Sequence, residues 1–152
     1  MSSKYRQGYF KPLNPKKYKG NSTNIIYRSS WEAKLLSYLD KHPDVLEWSS
    51  EEFCIGYKSP LDDKMHRYFP DAWAKIKSKS GEIKNFVIEV KPLKQTQPPK
   101  KPKKETKRYL QEMHTWLINN SKFNAAEEYC KKKGWIFIIL TEKELFSNNE
   151  WW

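Results

Sequence analysis

Two short stretches hold residues able to do chemistry together: Pro70-Asp71, and Glu89-Val90-Lys91 with seventeen residues between the two acids. The turn signal Ser78-Lys79-Ser80-Gly81 lies between them, so a hairpin brings both acids onto neighbouring strands. Alternation along a strand then puts Glu89 and Lys91 on one face, with Ile88 and Val90 on the other, toward a packed helix. Two carboxylates a few ångströms apart repel each other unless a cation lies between them. Two or three hard oxygens completed by water suit Mg²⁺, with Mn²⁺ as a substitute. A lysine beside such a cation is unfavourable unless an anion is present as well, and a phosphate supplies one. The set therefore reads as a site where a metal polarises a phosphoryl oxygen and acidifies an attacking water. Lys91 would orient that water or neutralise the transition state.

Glu32 is the candidate third acid, on a helix that can cover the same end of the sheet. It also completes the capping box Ser29-Ser30-Trp31-Glu32, in which it returns a hydrogen bond to the Ser29 N–H. The other residues have plain readings too: Asp71 as a strand-end residue, and Glu89 with Lys91 as a surface ion pair worth under about 1 kcal/mol.

These residues depend on a simple order of elements. Ile25-Ile26-Tyr27 is a short strand, and Ser29 opens a helix whose Trp31, Leu35, Tyr38 and Leu39 share a face and which ends near Asp40 to Pro43. Strand character over 45–57 is closed by Ser59-Pro60-Leu61-Asp62-Asp63, a second strand covers 65–77, and a third 83–91. Two hairpins thus join three consecutive antiparallel strands. Tyr109, Leu110, Met113, Trp116 and Leu117 keep helical spacing, followed by a second helix with Phe123, Ala126, Tyr129 and Cys130 on one face. Gly134 suits a C-terminal cap, and the apolar run 135–140 reads as a strand covered on both faces. The resulting order is α, β, β, β, α, α, β.

Composition narrows the partners. The chain has 152 residues, enough for one core, and 29 Lys and Arg against 18 Asp and Glu give +11, which points to a polyanion, nucleic acid first. Residues 1–20 and 94–108 each carry +6, so the remaining chain is close to neutral at −1. In the second segment Pro98, Pro99 and Pro102 exclude a regular helix or strand, leaving a mobile basic loop that is either a solvated linker or a phosphate contact. Lys94, Lys100, Lys101, Lys103, Lys104, Lys107 and Arg108 are its cations, and seven phosphate contacts would give a slope of log K against log salt on the order of −6. Arg28 and Arg67, beside Glu32 and Asp71, are further candidate DNA contacts. Cys54 and Cys130 lack metal-ligand spacing and are expected as buried free thiols. His42, His66 and His114 support neither a zinc site nor a triad. No GxxxxGK[ST] loop is present, so no nucleotide cofactor is expected, and no apolar run reaches membrane-span length, so the reading is a soluble, unsecreted protein with no membrane partner. The terminal Trp151-Trp152 either docks into the fold or marks a partner contact.

Pro70-Asp71, Glu89-Val90-Lys91 and Glu32 together resemble the PD-(D/E)XK nuclease signature, and the order of elements matches that superfamily's core. The resemblance implies an α/β fold with a mixed sheet: a restriction-endonuclease-like αβββαβ core with an extra helix. A basic arm, 1–22, would precede one nuclease domain, 23–152. It further implies that Asp71 and Glu89 ligate Mg²⁺ with the Val90 carbonyl, that Lys91 positions the water, and that Glu32 is an additional ligand or holds a metal-bound water. A closer likeness is carried by 11–18, Tyr27-Arg28-Ser29-Ser30-Trp31-Glu32, Trp48-Ser49-Ser50-Glu51-Glu52, His66-Arg67-Tyr68-Phe69-Pro70-Asp71, Glu89-Val90-Lys91-Pro92 and Thr141-Glu142-Lys143. These segments are similar to the head completion nucleases of contractile-tailed bacteriophages, and also to the endonuclease subunit of Tn7-type transposition, which is longer. The first family implies a Mg²⁺-dependent deoxyribonuclease acting after DNA packaging, before tails join, with double-stranded DNA and portal or neck proteins as partners. It would be found in the virion and the bacterial host cytoplasm. The alternatives are a non-catalytic DNA-binding plug of the portal or neck, a transposition or recombination endonuclease, and a basic RNA-binding protein that predicts no site geometry.

Overall fold

A computed structural model describes residues 7–147 and Trp151; Lys4 and Arg6 of the expected arm, and Trp152, lie outside the described residues. In chain order the elements are β1 (Gly8–Phe10), β2 (Ile25–Tyr27), α1 (Ser30–Lys41), β3 (Val45–Ser49), β4 (Ile55–Lys58), β5 (Met65–Tyr68), β6 (Ala72–Lys77), β7 (Ile83–Val90), α2 (Lys107–Lys133), β8 (Ile136–Leu140) and α3 (Glu142–Leu145). The central sheet has the order β3-β6-β7-β8; its first three strands are antiparallel, and β8 lies parallel to β7. A parallel neighbour needs a long crossover, which the segment after β7 and α2 supply.

The period of two sorts the sheet's side chains between two cores. Ala72, Ala74 and Ile76 of β6 and Phe86, Ile88 and Val90 of β7 join Leu35, Leu36 and Leu39 of α1 on one side. Val87 joins Ala126 and Cys130 of α2, with Ile55, Tyr57 and Tyr68 of the β4–β5 ribbon, on the other. Ile88 and Val90 thus face a helix, as their alternation predicts. Ser29 caps α1 by accepting from the Glu32 N–H at 3.1 Å, and α1 ends at Lys41.

Three of the expected elements are corrected. The strand expected over 45–57 is two strands in different sheets: after Ser49 the chain turns through Glu51, whose φ of 52° lies in the left-handed region, and β4 starts afresh. The strand expected over 65–77 likewise breaks at Phe69-Pro70-Asp71, because proline has no N–H for a ladder and holds its predecessor extended. The ribbon β4–β5 is therefore extruded between β3 and β6, which pair directly. The two helices expected after the basic segment are one continuous α2, capped at Thr106 and closed by Gly134 at φ 71°. Asn119 and Asn120 do not interrupt it, since asparagine costs a helix interior only about 0.7 kcal/mol and Asn119 is buried by packing.

The described part of the basic arm is docked. Tyr18 and Phe10 pack edge-on against the fully buried Trp48, with ring centroids at 4.8 and 5.8 Å. Leu13 and Asn14 donate their N–H groups to the buried Asp40 carboxylate at 2.7 and 3.2 Å. Of the cysteines, Cys130 is buried as expected, whereas Cys54 is exposed. Trp151 docks: its ring stacks on Tyr38 at 3.8 Å and its Nε1 donates to the Glu144 carbonyl. Among the described residues no helix is long and apolar enough to cross a membrane.

Candidate active site

Glu89 sits one residue before the end of β7, and Asp71 immediately precedes β6. Ala72 pairs with Ile88, so the next step of that antiparallel register sets Asp71 opposite Glu89, on one face. Asp71 Oδ2 accepts from the Val90 N–H at 2.8 Å, which closes the ladder where Pro70 has ended it. Glu89 is only 6% exposed; its Oε1 accepts from the Tyr68 hydroxyl at 2.5 Å, and its Oε2 lies 3.6 Å from Lys91 Nζ. Lys91 is anchored in turn by its N–H, which donates to the Leu140 carbonyl of β8 at 3.0 Å. An acid just before β6, an acid near the end of β7 and an amine just past that end are thus brought together, within electrostatic reach of Lys122 on α2.

The electrostatics are those of a strained cluster. Burial, then the charges of Glu89 and Glu32, hold the Asp71 carboxyl well above the usual carboxylate range, against the pull of the Val90 N–H and Lys91. Burial also raises Glu89, although Lys91, Tyr68 and Lys122 act to lower it. Glu32 is raised by burial and by its neighbours Glu51 and Glu89, against the hydrogen bond its Oε2 accepts from the Arg28 N–H at 3.1 Å. The Ser29 cap thus exists, but the Glu32 carboxylate reaches Arg28 rather than Ser29, while its charge is felt at Asp71.

A hard divalent ion fits this donor set by chemistry, because two carboxylates that repel each other lose that repulsion when a cation lies between them. Among the described residues no three His, Cys, Asp or Glu side chains converge to enclose a metal. Mg²⁺ needs no such cage, since it keeps several waters and commonly takes one or two carboxylates. Asp71 and Glu89 are the pair that could hold it, with the Val90 carbonyl beside them.

The structure scatters the expected cations. Lys94 lies in a short 3-10 turn, Leu93–Thr96, that Pro92 separates from Lys91, and Lys100, Lys101, Lys103 and Lys104 are exposed on irregular backbone. Lys107 and Arg108 belong instead to the first turn of α2, where no acid offsets them. Arg28 is exposed and pairs through Nε with Glu51 Oε1 at 3.2 Å. Arg67 alternates with Tyr68 along β5 and so points to the opposite face of the ribbon from Glu89, with its guanidinium over the Phe69 ring.

Two residues of the site escaped the sequence reading. Tyr68 lies two positions before Pro70, and the signal for it was only its place in the motif stretch. Lys122, half-buried on α2, sets its ammonium over the rings of Tyr57 and Tyr68. Its signal was a lysine four residues before Ala126, on the apolar face of the helix.

The profile of the family described as "TnsA-like endonuclease N terminal" matches residues 42–142, which include Asp71, Glu89, Lys91 and Lys122 but not Glu32. The chain is also 42% identical to the head completion nuclease of Enterobacteria phage T4 over 142 residues, 91% of this chain and 92% of that protein.

Proposed function

The chain belongs to the TnsA-like endonuclease family, of PD-(D/E)XK type, and from that premise we propose that it is a metal-dependent deoxyribonuclease hydrolysing duplex DNA during phage head completion. The observation that carries this reading is that Asp71, bonded to the Val90 N–H at 2.8 Å, feels the charge of Glu89, whose Oε2 lies 3.6 Å from Lys91 Nζ. A purely structural DNA plug offers no reason to keep repelling carboxylates together in a half-buried site.

Mg²⁺ or Mn²⁺ held by Asp71, Glu89 and the Val90 carbonyl supplies charge neutralisation at the phosphoryl oxygen and lowers the pKa of a water. The chain's own groups do the positioning. Tyr68 fixes Oε1 of Glu89, and Lys91, next to Oε2, donates to the attacking water or to the phosphate as charge develops. Glu32, with one oxygen held by the Arg28 N–H, has the other for a water. The cations from Lys94 onward leave the sheet at the site and track the phosphate backbone, which makes affinity salt-dependent. The T4 relative's role in head completion supports a place for this protein after DNA packaging and before tail joining. Portal or neck proteins are then its partners, in the virion and the host cytoplasm.

The test is cleavage of supercoiled plasmid and linear duplex in Mg²⁺ or EDTA by the native protein, Glu89→Ala and Lys91→Ala. The expected result is Mg²⁺-dependent cutting that both substitutions abolish. Salt-sensitive DNA binding with no cutting by the native protein would overturn the enzyme in favour of the plug.

A further inference from the structure

The face of α2 that packs on the sheet carries Ile118, Ala125, Ala126 and Tyr129, at i, i+7, i+8 and i+11, and the i+4 position of that stripe is Lys122. Packing alone would place an apolar side chain there. Instead an ammonium sits 5.8 Å from the ring centroid of Tyr57 and 5.7 Å from that of Tyr68, whose hydroxyl is spent on Glu89. Lys122 makes no hydrogen bond or ion pair among the described residues; aromatic faces hold it, and they leave its three donors open. Burial and the charge of Lys91 weaken its hold on the proton, against Glu89 and Asp71.

Charge counting says what such a group is for. Asp71 and Glu89 balance Lys91 and Lys122, so a divalent ion leaves a surplus of two positive charges, or one with Glu32 ionised. A phosphodiester carries one negative charge and its pentacoordinate transition state two.

We propose that Lys122 is a second phosphate-binding cation of this site, donating to a non-bridging oxygen of the DNA phosphate from a slot formed by Tyr57 and Tyr68. The inference rests on the nuclease reading above and adds a catalytic group from the helix opposite the acids. Methionine at 122 keeps the stem and removes the charge, whereas arginine keeps the charge.

The experiment compares native protein, Lys122→Met and Lys122→Arg in Mg²⁺-dependent plasmid cleavage, in thermal unfolding, and in the salt dependence of binding to a short duplex with Ca²⁺ in place of Mg²⁺. Lys122→Met is expected to lose roughly 100-fold in kcat/KM. It should unfold at the native temperature or above, and lower the magnitude of the salt slope by about 0.9. Lys122→Arg should recover most of both losses. Native cleavage that Lys122→Met leaves unchanged overturns this inference and spares the nuclease reading. So does a loss that comes with early unfolding, an unchanged slope and no rescue by arginine. Native protein that does not cut overturns both.

Discussion

Among the described residues carboxylates are buried in two regions, and the two are handled in opposite ways. Asp40, 1% exposed near the end of α1, accepts N–H bonds from Leu13 and Asn14, and the Asn14 side chain and Lys17 bond its main-chain oxygen. Every donor there comes from the N-terminal segment, so the charge serves as a staple. Asp71 and Glu89 instead face each other, and their neighbours include a third acid. A saturated buried charge holds a fold together. An unsaturated pair stores repulsion that a cation and an anionic substrate can relieve.

The comparison breaks most visibly if the repelling pair is neutralised. Asp71→Asn and Glu89→Gln are each expected to cut the Mg²⁺-dependent cleavage rate by on the order of 10³-fold while leaving the metal-free protein as stable or more stable, by on the order of 1 kcal/mol. The sign follows from the raised carboxyl of Asp71. A folded pKa above the unfolded one means that ionisation opposes folding, so the deficit is absent below the unfolded pKa and grows as pH rises toward the folded one. Denaturant titrations of metal-free native protein and Asp71→Asn across pH should therefore diverge upward from about pH 4. Mg²⁺ should raise the melting temperature of the native protein more than that of Asp71→Asn.

Asp40→Ala should do the reverse, lowering stability by about 2 to 4 kcal/mol through two stranded N–H donors, with cleavage per folded molecule unchanged. Loss of cleavage at full stability would show that the arm's staple and the site are coupled. A smaller effect is expected from Tyr68→Phe, which removes the hydroxyl from Glu89 Oε1. Cleavage should fall about 10-fold, the size of one hydrogen bond to a charged group, as read from single-turnover rates. Smallest per residue is the basic segment, whose lysines are exposed. Changing Lys100, Lys101, Lys103 and Lys104 to Gln should reduce the magnitude of the salt slope of DNA binding by about 3 to 4, and an unchanged slope would make the segment a solvated linker.

The acid pair was legible because a strand's alternation and a hairpin's register are local rules. Once Ser78 to Gly81 is read as a turn, Asp71 and Glu89 can only approach each other, and Lys91 must share the face of Glu89. Helix α1, with Ser29 and Glu32 at its start, and the Gly134 stop of α2 were legible for the same reason. The breaks at Glu51 and Pro70 were harder, because β-branched and aromatic residues continue on both sides of each break. Which strand a segment pairs with is a choice made by partners far away in the chain. Composition marked the N-terminal arm as basic but carried no signal for its docking, in which Phe10 and Tyr18 pack edge-on against Trp48.

By itself, then, the sequence determined helix α1 and strand β7, the acid pair with its lysine, and the concentration of charge in two segments, since all of these follow from spacing along one backbone. Only the tertiary structure decided that the ribbon β4–β5 stands apart from the sheet, that Tyr68 bonds Glu89, and that α2 lays Lys122 beside the acids. The reason is physical: those contacts join residues whose approach is set by burying apolar faces against each other. That packing is a property of the whole core, and no local spacing encodes it.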